Sequence, residues 1–381
     1  MARPYQICAR CVMDTTDPDL VFDEQGVCSH CHAYDRAISK YVLIGEAGQR
    51  KVERLTERIK KEGVGKPYDC VIGVSGGVDS TFVAYRVKQL GLRPVAVHLD
   101  NGWDSELAVK NIEQALKRLG IDLYTQVLDW EEFKDLQLSF LKASTPDSEI
   151  PSDHAIVACL HQTARKMKIK YIITGGNVRT ESHLPAAWSQ GHMDWKYISH
   201  VQKQFGTVAL KTFPHLDFWT QVYDRLTQKQ IAILNYLDYS KKDVMPILEQ
   251  EIGWRYYGGK HYESIYTRWY QGFWLPRKFG YDKRRVHLSS LICSGEITRD
   301  QALETLGVPA YDPALQEEDT AYVIKKLGLT EEQLEAILSL PKKSFWDYPS
   351  YGRSFQGRIY RGLRAVYVGL RKLIKRVRSA K

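Results

Sequence analysis

Short apolar runs alternate with longer amphipathic segments between residues 68 and 174. The runs predict buried β-strands, at Val71–Val74, Pro94–Leu99, Asp122–Leu128 and Tyr171–Thr174. The longer segments predict helices, at Thr81–Leu90, Ser105–Leu119, Trp130–Lys142 and Asp153–Lys168. This repeated strand-helix order predicts an α/β fold with a doubly wound parallel sheet, whose ligands would bind at the carboxyl ends of the strands.

The turn after the first strand combines the end of an apolar run with a glycine pair and a helix start. Its residues are Ser75, Gly76, Gly77, Val78, Asp79 and Ser80. Backbone N–H groups at a helix N-terminus attract anions, and glycines leave room for phosphate oxygens. We therefore predict a phosphate site here, with Asp79 as a ligand of Mg²⁺. The alternative is a glycine-rich turn that binds no ligand.

This turn is shorter than the common phosphate loop G-x-x-x-x-G-K-[ST] and lacks its lysine. The sequence Ser-Gly-Gly-Val-Asp-Ser instead resembles the pyrophosphate loop, or PP-loop, of the ATP pyrophosphatases. The resemblance implies that the loop binds the β- and γ-phosphates of ATP. A carbonyl oxygen of the substrate would then attack the α-phosphorus, so that AMP is transferred and pyrophosphate leaves.

Two further segments follow strands at the same edge of the sheet. Asp100 and Asn101 follow the second strand, where PP-loop proteins usually contact adenosine, and we expect a ribose or base contact from one of them. A turn with a helix cap is the alternative. Gly175, Gly176 and Asn177 follow a later strand, where glycines would let a nucleotide approach the backbone. A plain turn remains the alternative there too.

The polar and aromatic stretch 177–195 has the composition of a long functional loop. Glu181 follows Asn177 by four residues, so we expect it to bind a substrate hydroxyl group or to steer ammonia. A helix-capping role is an equal alternative. His183 and His192 are interpreted as polar loop residues rather than as bases.

Four of the seven cysteines form two Cys-x-x-Cys pairs, Cys8 with Cys11 and Cys28 with Cys31. Two such pairs at this spacing predict a zinc ribbon with a closed tetrahedral site for structural Zn²⁺. A redox pair is one alternative, and a neighbouring histidine replacing one thiolate is another. Metal-binding cysteines fit a reducing compartment better than disulfides do.

Residues 211–345 predict aromatic-rich helices joined by short turns. Among them, Lys283, Arg284 and Arg285 are consecutive cations that repel one another unless an anion or a carboxylate lies nearby. We expect these three side chains, with His287, to clamp pyrophosphate or a substrate phosphate. The alternative is a solvated surface.

The net charge of +9 on the 381-residue chain comes from its C-terminal tail. Residues 353–381 carry ten basic side chains and no acidic one, so the remaining chain has a formal charge of about −1. Apolar residues recur every three or four positions across 355–378, which predicts a basic amphipathic helix. It could contact anionic lipid headgroups, dock on protein or bind RNA.

The chain has no apolar run of the roughly 20 residues that a membrane span requires, and its N-terminus has no secretion signal. We therefore expect a cytoplasmic protein, with peripheral contact to the inner membrane through residues 355–378 as one hypothesis.

The sequence offers no nitrogen source of its own. Residue 2 is alanine, whereas an amidotransferase with an N-terminal nucleophile needs cysteine there. Cys70, Cys159 and Cys293 are single and have apolar neighbours, which favours positions in the core over a role in sulfur transfer. We therefore expect ammonia, if it is used, to come from elsewhere.

The motifs occur in a specific combination along the chain. They are the two Cys-x-x-Cys pairs, Ser75–Ser80, His98–Trp103, Gly175–Glu181 and Lys278–Ser289. Together they resemble the N-acetyl sugar amidotransferases of the WbpG type, which act in lipopolysaccharide O-antigen synthesis. The resemblance runs from about residue 5 to residue 310.

This resemblance implies conversion of an acetamido group on a UDP-linked N-acetylated sugar, a diacetamido uronic acid, into an acetamidino group. ATP, Mg²⁺ and Zn²⁺ would be required, and Lys283, Arg284 and Arg285 would neutralise charge that develops at pyrophosphate. Ammonia would come from a separate glutaminase with a cyclase-like barrel partner. No nucleic acid is expected. A tRNA-modifying PP-loop enzyme is the alternative, favoured by the ribbon and the basic tail.

These interpretations divide the chain into four parts. They are a zinc-ribbon module (1–45), a PP-loop ATP pyrophosphatase domain (46–210), a helical region that completes the active site (211–345) and a basic amphipathic tail (346–381).

Overall fold

The computed structural model describes residues 3–259 and 262–353. Five strands in this part of the chain form one parallel sheet, and they are β1 (Cys70–Gly73), β2 (Pro94–Asp100), β3 (Asp122–Val127), β4 (Tyr171–Thr174) and β5 (Lys229–Ala232). The strand order is β3-β2-β1-β4-β5. In the register, Val71 of β1 is paired with Val95 of β2 on one side and with Ile172 of β4 on the other.

The helices of the described residues precede, connect and follow these strands. They are α1 (Ser29–Tyr41), α2 (Gly45–Glu62), α3 (Val78–Gln89), α4 (Glu106–Leu119), α5 (Trp130–Ala143), α6 (Ile150–Lys166), α7 (Val178–Glu181), α8 (Trp195–Phe205), α9 (Phe218–Thr227), α10 (Lys241–Ile252), α11 (Ile265–Trp269), α12 (Leu275–Phe279), α13 (Arg284–Ser294), α14 (Arg299–Gly307), α15 (Pro313–Leu327) and α16 (Glu331–Leu338). A π-helical turn, Tyr270–Trp274, joins α11 to α12.

Successive residues of each central strand face opposite layers of helices. Val71 packs into one hydrophobic cluster with α5 and α6, whereas its neighbours Cys70 and Ile72 pack into a second cluster with α3, α4 and α10. Because side chains alternate along a strand, a sheet covered on both faces needs apolar residues at every position. The doubly wound parallel sheet predicted from the sequence is confirmed.

The fifth strand lies in the region for which the sequence predicts helices alone. β5 pairs in parallel with β4, with Ile231 opposite Ile173. Its sequence Lys-Gln-Ile-Ala contains a single buried residue, because an edge strand is covered less completely than a central one. Its apolar signal is therefore weak, and the sheet extends past the boundary that the sequence analysis places at residue 210.

Two helices begin earlier than their periodicity indicates. The helix after the glycine turn starts at Val78, because Gly77 has extended backbone angles and occupies the N-cap position. Helix α6 starts at Ile150. Pro151 fits the first turn, because N–H groups there have no hydrogen-bond partner within the helix and proline loses nothing by lacking one. In both cases residues without an amphipathic pattern extend the helix toward the sheet edge.

The N-terminal cysteine module packs against the C-terminal half of the chain. Its cysteines share a hydrophobic cluster with Trp188 and Val286. Arg299 of α14 donates hydrogen bonds to the carbonyl oxygens of Cys8 and Cys11, at 3.1 Å each. The module is thus held against helices that also border the carboxyl edge of the sheet.

The predicted amphipathic helix at 355–378 lies outside the described residues. Within the part that is described, none of the helices combines the length and the apolar composition that crossing a membrane requires.

Candidate active site

The turn between β1 and α3 is held in a shape that only glycine permits at its second position. Gly76 has φ +77°, and a Cβ atom there would lie 2.6 Å from the carbonyl oxygen of Ala108. The indole N–H of Trp254 donates to the Gly76 carbonyl oxygen at 2.8 Å. The turn is therefore fixed from both sides, by α4 and by the segment after α10.

Two hydroxyl groups line the inside of this turn. The Ser80 hydroxyl accepts from the Ser75 N–H and donates to the Gly77 carbonyl oxygen, at 3.2 Å each. The N-cap residue Gly77 offers no side chain to the first N–H groups of α3. These N–H groups at the positive end of the helix dipole, together with the hydroxyls, are the kind of donors that an anion such as phosphate requires.

A second glycine turn lies against the first, as the sequence predicts. A Cβ atom on Gly175 would lie 3.2 Å from the backbone carbon of Asp79, so a side chain there would displace the start of α3. Gly176 has no such restriction, since a Cβ atom there would make ordinary contacts at 3.8 Å. The structure thus explains the first glycine by close packing and leaves the second without a steric requirement.

Asp79 lies in the first turn of α3 and contacts two residues that the sequence analysis missed. Its carboxylate accepts a hydrogen bond from the Tyr239 hydroxyl and pairs with the Lys241 ammonium group at 3.1 Å. Burial lowers the pKa of Lys241, but the neighbouring Asp79 carboxylate outweighs burial and the net pKa is raised. Lys241 therefore brings a positive charge to the start of α3, next to the Ser75–Ser80 turn.

The turn opens into a cavity of about 850 Å³ at the carboxyl edge of the sheet. The lining includes Ser75, Ser80, His98, Glu181 and Lys283. Pockets of this size accommodate drug-sized ligands, and this one extends well beyond the anion-binding turn. It has room for a nucleotide and for part of a second substrate.

Asp100 and Asn101 shape a turn rather than facing the cavity together. The Asp100 carboxylate accepts from the Gly102 N–H at 2.8 Å, and the Asn101 amide oxygen accepts from the Trp103 N–H at 3.1 Å. The helix cap that follows is Ser105. Asn101 lines the cavity and donates to the Ser152 hydroxyl. Asp100 stabilises the turn, which is the alternative to a nucleotide contact that the sequence left open.

Asn177 and Glu181 form a local cap that also borders the cavity. The buried Asn177 side chain accepts from the Arg179 N–H at 3.0 Å and begins α7. The Glu181 carboxylate accepts from the Asn177 N–H at 3.3 Å, which is the capping role that the sequence left open. Glu181 is exposed and lines the cavity, so its second oxygen can still meet a substrate.

The structure separates the three consecutive cations of the predicted clamp, because each one pairs with a different carboxylate. Lys283, Arg284 and His287 all line the cavity. The Lys283 ammonium group pairs with Glu149 at 3.0 Å. The Arg284 guanidinium pairs with Asp282 at 2.7 Å and also donates to backbone carbonyl oxygens. Arg285 pairs with Asp14 of the cysteine module at 3.0 Å.

Lys283 belongs to a cluster of charged side chains that no sequence motif indicated. The other members are Glu149, Asp147, Asp153 and His192. His192 lies between two carboxylates, with its Nε2 atom 3.3 Å from Asp147 and 3.3 Å from Asp153. Burial lowers the pKa of His192, but these carboxylates outweigh burial and raise it to about 10. The cluster draws on three separate segments, so a polar-loop interpretation of His192 could not have found it.

The four predicted zinc ligands lie together and are buried. Their Sγ atoms are 3.9 Å apart for Cys8 and Cys31, and 3.7 Å apart both for Cys11 and Cys28 and for Cys28 and Cys31. A tetrahedral ion with Zn–S bonds of about 2.3 Å separates its sulfur ligands by about 3.8 Å. The donor set and its spacing therefore fit a closed structural zinc site.

The histidines beside Cys31 are engaged elsewhere. His30 pairs with Asp17 at 2.7 Å and His32 pairs with Asp23 at 2.8 Å. Cys293, however, is not an isolated core residue as the sequence indicated. Its Sγ atom lies 3.8 Å from that of Cys31, at the border of the cysteine cluster.

The parallel sheet and the Ser75–Ser80 turn at the end of its central strand define a PP-loop fold, with a cavity at the carboxyl ends of the strands. Residues 263–361 match the family model of the C-terminal domain of LPS biosynthesis protein WbpG-like proteins. The match covers about a quarter of the chain, and it confirms the resemblance to WbpG-type proteins for these residues. The match extends beyond residue 310, where the shared motifs end.

A curated relative is the tRNA(Ile)-lysidine synthase of Chlamydia pneumoniae, which is 38% identical over 71 residues. The alignment covers 18% of this chain, and the chain spans 22% of the length of that relative.

Two solved structures are similar at low sequence identity. The NH3-dependent NAD synthetase from Campylobacter jejuni subsp. jejuni, in complex with the nitrate ion, is 13% identical, with 78% of this chain and 98% of that chain covered and a TM-score of 0.31. The NMN synthetase from Francisella tularensis is 16% identical, with 55% and 85% covered and a TM-score of 0.29.

Proposed function

We propose that this protein is an ATP-dependent amidotransferase that converts an acetamido group of a nucleotide-linked sugar into an acetamidino group. The proposal rests above all on one observation. A PP-loop with a paired carboxylate and ammonium group, Asp79 and Lys241, opens into a cavity with room for a second substrate. The match to a WbpG-like domain supports a sugar of lipopolysaccharide synthesis as that substrate.

The chemistry requires activation of an amide, which is a poor electrophile. The acetamido oxygen would attack the α-phosphorus of ATP, forming an O–P bond while the bond to pyrophosphate breaks. Ammonia would then add to the imidate carbon, and the C–O bond would break with release of AMP. The added nitrogen loses one proton to a base, so that the products are an amidine, AMP and pyrophosphate.

The residues around the cavity suit these steps. The PP-loop hydroxyls of Ser75 and Ser80 and the Lys241 ammonium group would bind the departing pyrophosphate, and Asp79 would hold Mg²⁺, which neutralises phosphate charge. Lys283, paired with Glu149, would contact the anionic part of the second substrate. Glu181 would accept a hydrogen bond from a sugar hydroxyl or from ammonia.

Two partners are part of the proposal. A separate glutaminase with a cyclase-like barrel would deliver ammonia, and a UDP-linked diacetamido uronic acid would be the sugar.

The four-cysteine cluster would bind one structural Zn²⁺. Residues 355–378 would bring the enzyme to anionic lipid at the cytoplasmic face of the inner membrane, because a basic amphipathic segment favours such a surface.

The test is a product assay with the purified chain, ATP, Mg²⁺, ammonium and a panel of UDP-linked N-acetylated sugars. We expect AMP and pyrophosphate in equal amounts, formed only with a sugar that carries an acetamido group, and a product lighter by 1 Da from replacement of oxygen by NH. Release that depends on tRNA instead would favour a tRNA-modifying enzyme. Formation of ADP and orthophosphate would contradict the proposal.

A further inference from the structure

A second group of metal-ligand side chains borders the four-cysteine cluster and shares one member with it. Cys31, His183 and Cys293 bring their Sγ and Nε2 atoms within 4.8 Å of one another. The three residues come from helix α1, from the segment after α7 and from helix α13. They are thus far apart in sequence and are brought together by the fold.

The spacing within this group suits a tetrahedral ion. The Sγ atoms of Cys31 and Cys293 lie 3.8 Å apart, and Cys293 Sγ lies 3.6 Å from His183 Nε2. For Zn–S bonds of about 2.3 Å and Zn–N bonds of about 2.05 Å, tetrahedral geometry separates two sulfurs by about 3.8 Å and sulfur from nitrogen by about 3.6 Å. Both distances match the tetrahedral values.

The hydrogen bonds of His183 orient its free nitrogen toward Cys293. The Ser290 hydroxyl donates to the Val286 carbonyl oxygen, so it accepts from the Nδ1–H of His183 at 2.9 Å. Nε2, the other ring nitrogen, faces Cys293 and is the atom available to a metal ion. A metal-binding histidine is usually fixed in this way by a hydrogen bond at its other nitrogen. His183 is fully buried, and its ring packs against Tyr34.

We propose that Cys31, His183 and Cys293 bind a second Zn²⁺, with the Cys31 thiolate shared between this ion and the ion of the four-cysteine cluster. Three protein ligands leave a fourth position for water or a solute. This second ion joins the cysteine module to α13 and to the segment that follows α7. Lys283 directly precedes α13, and Glu181 is the last residue of α7. The inference does not depend on the proposed sugar chemistry.

The first experiment counts zinc in the full-length protein after dialysis against micromolar Zn²⁺, by plasma mass spectrometry. We expect two ions per chain for the wild type and one for Cys293→Ala. Cys159→Ala is the matched control, since Cys159 is a buried cysteine of the main core, and it should keep two ions. Cys293→His should also keep two, because imidazole can replace the thiolate. One ion per wild-type chain, or two in Cys293→Ala, would overturn the proposal.

A second measurement uses the wild-type chain alone, so a folding defect of a variant cannot obscure it. Cys293 is only partly buried, so a free thiol there should react with iodoacetamide. We expect peptide mapping to find it protected in the zinc-loaded protein and alkylated after a chelator is added. Alkylation of Cys293 in the zinc-loaded chain would show that no ion is bound there, whatever the metal count.

Discussion

The PP-loop Ser75–Ser80 and the basic turn Asp282–Arg285 each lie at the start of a helix. The consecutive residues of the PP-loop face one common space, whereas those of the basic turn make contacts in different directions. In the PP-loop, backbone N–H groups and two hydroxyls converge on one space. In the basic turn, three consecutive cations diverge. Lys283 pairs with Glu149 in the cavity, Arg284 pairs with Asp282 just before its own helix, and Arg285 pairs with Asp14 of the cysteine module.

The reason is helical geometry. Backbone N–H groups at the start of a helix all point along the helix axis, so the N–H groups of consecutive residues can donate to a single anion. Side chains rotate by about 100° per residue, so three in a row cannot meet one ligand. The cations of this site come instead from different elements, Lys241 from the start of α10 and Lys283 from the residue before α13.

The largest effect is expected for Asp79→Asn. The substitution keeps the size and the contact with Tyr239 but removes the charge that pairs with Lys241 and would hold Mg²⁺. Because metal stabilisation of phosphoryl transfer contributes several kcal/mol, AMP release should fall about 10³-fold or more. The measurement is AMP formation with ATP, Mg²⁺, ammonium and the responsive sugar.

The matched control for this variant is Asp100→Asn, since that carboxylate lies at the same sheet edge but serves a turn. It should retain most of the activity, because an amide oxygen can accept the same N–H. Full activity of Asp79→Asn, with an unchanged melting temperature, would mean that the PP-loop does not act through a metal at this position.

The next largest effect is expected for Lys241→Met. The ammonium group lies 3.1 Å from Asp79 and brings positive charge to the Ser75–Ser80 turn, where we propose that phosphate binds. Its loss should lower kcat about 10²-fold, the size seen when one preorganised donor to transition-state charge is removed. Lys241→Arg should recover part of this loss. If both variants kept the wild-type kcat, the cation would serve only to neutralise Asp79.

The sequence predicted the central strands and the PP-loop because their signals are local. The β1 run is apolar at every position since it is buried on both faces, and the glycine at residue 76 is required by its own backbone angle and by Ala108. The burial of a strand and the positive φ of a glycine each leave a pattern in the local sequence, although the contact with Ala108 does not.

The rest of the site depends on contacts between distant segments. Tyr239 and Lys241 meet Asp79 across about 160 residues of chain, and neither lies in a recognisable motif. Cys293 has the apolar neighbours of a core residue, yet its sulfur borders the cysteine cluster. A pattern along one helix indicates which face is buried, but it does not indicate which other element covers that face.

A direct test of the divergent cations compares Lys283→Met with Arg285→Met. The first removes a cavity charge and should lower kcat/KM about tenfold, as expected for a charged hydrogen bond worth roughly 1.5 kcal/mol. The second leaves the buried Asp14 without its cation and should lower the free energy of unfolding by about 3 kcal/mol. Arg285→Met should keep its activity per folded molecule.

Steady-state kinetics and urea unfolding of both variants provide the measurement. Equal losses of kcat/KM in the two fully folded variants would support the interpretation that both cations clamp the same ligand. Unchanged stability of Arg285→Met would show that the contact between the basic turn and the cysteine module contributes little.

The smallest effect concerns pH and the charge cluster beside Lys283. Because Asp147 and Asp153 raise the pKa of His192 from 6.5 to about 10, against the effect of burial, the charged ring stabilises the fold. This contribution is complete below pH 6.5 and is lost as the pH rises toward 10. The stability difference between wild type and His192→Gln should therefore be largest near pH 6 and shrink by pH 10. Urea unfolding across this range measures the difference, with His200→Gln, which lies outside the cluster, as the control. A difference that does not change with pH would mean that His192 is not charged between its two carboxylates.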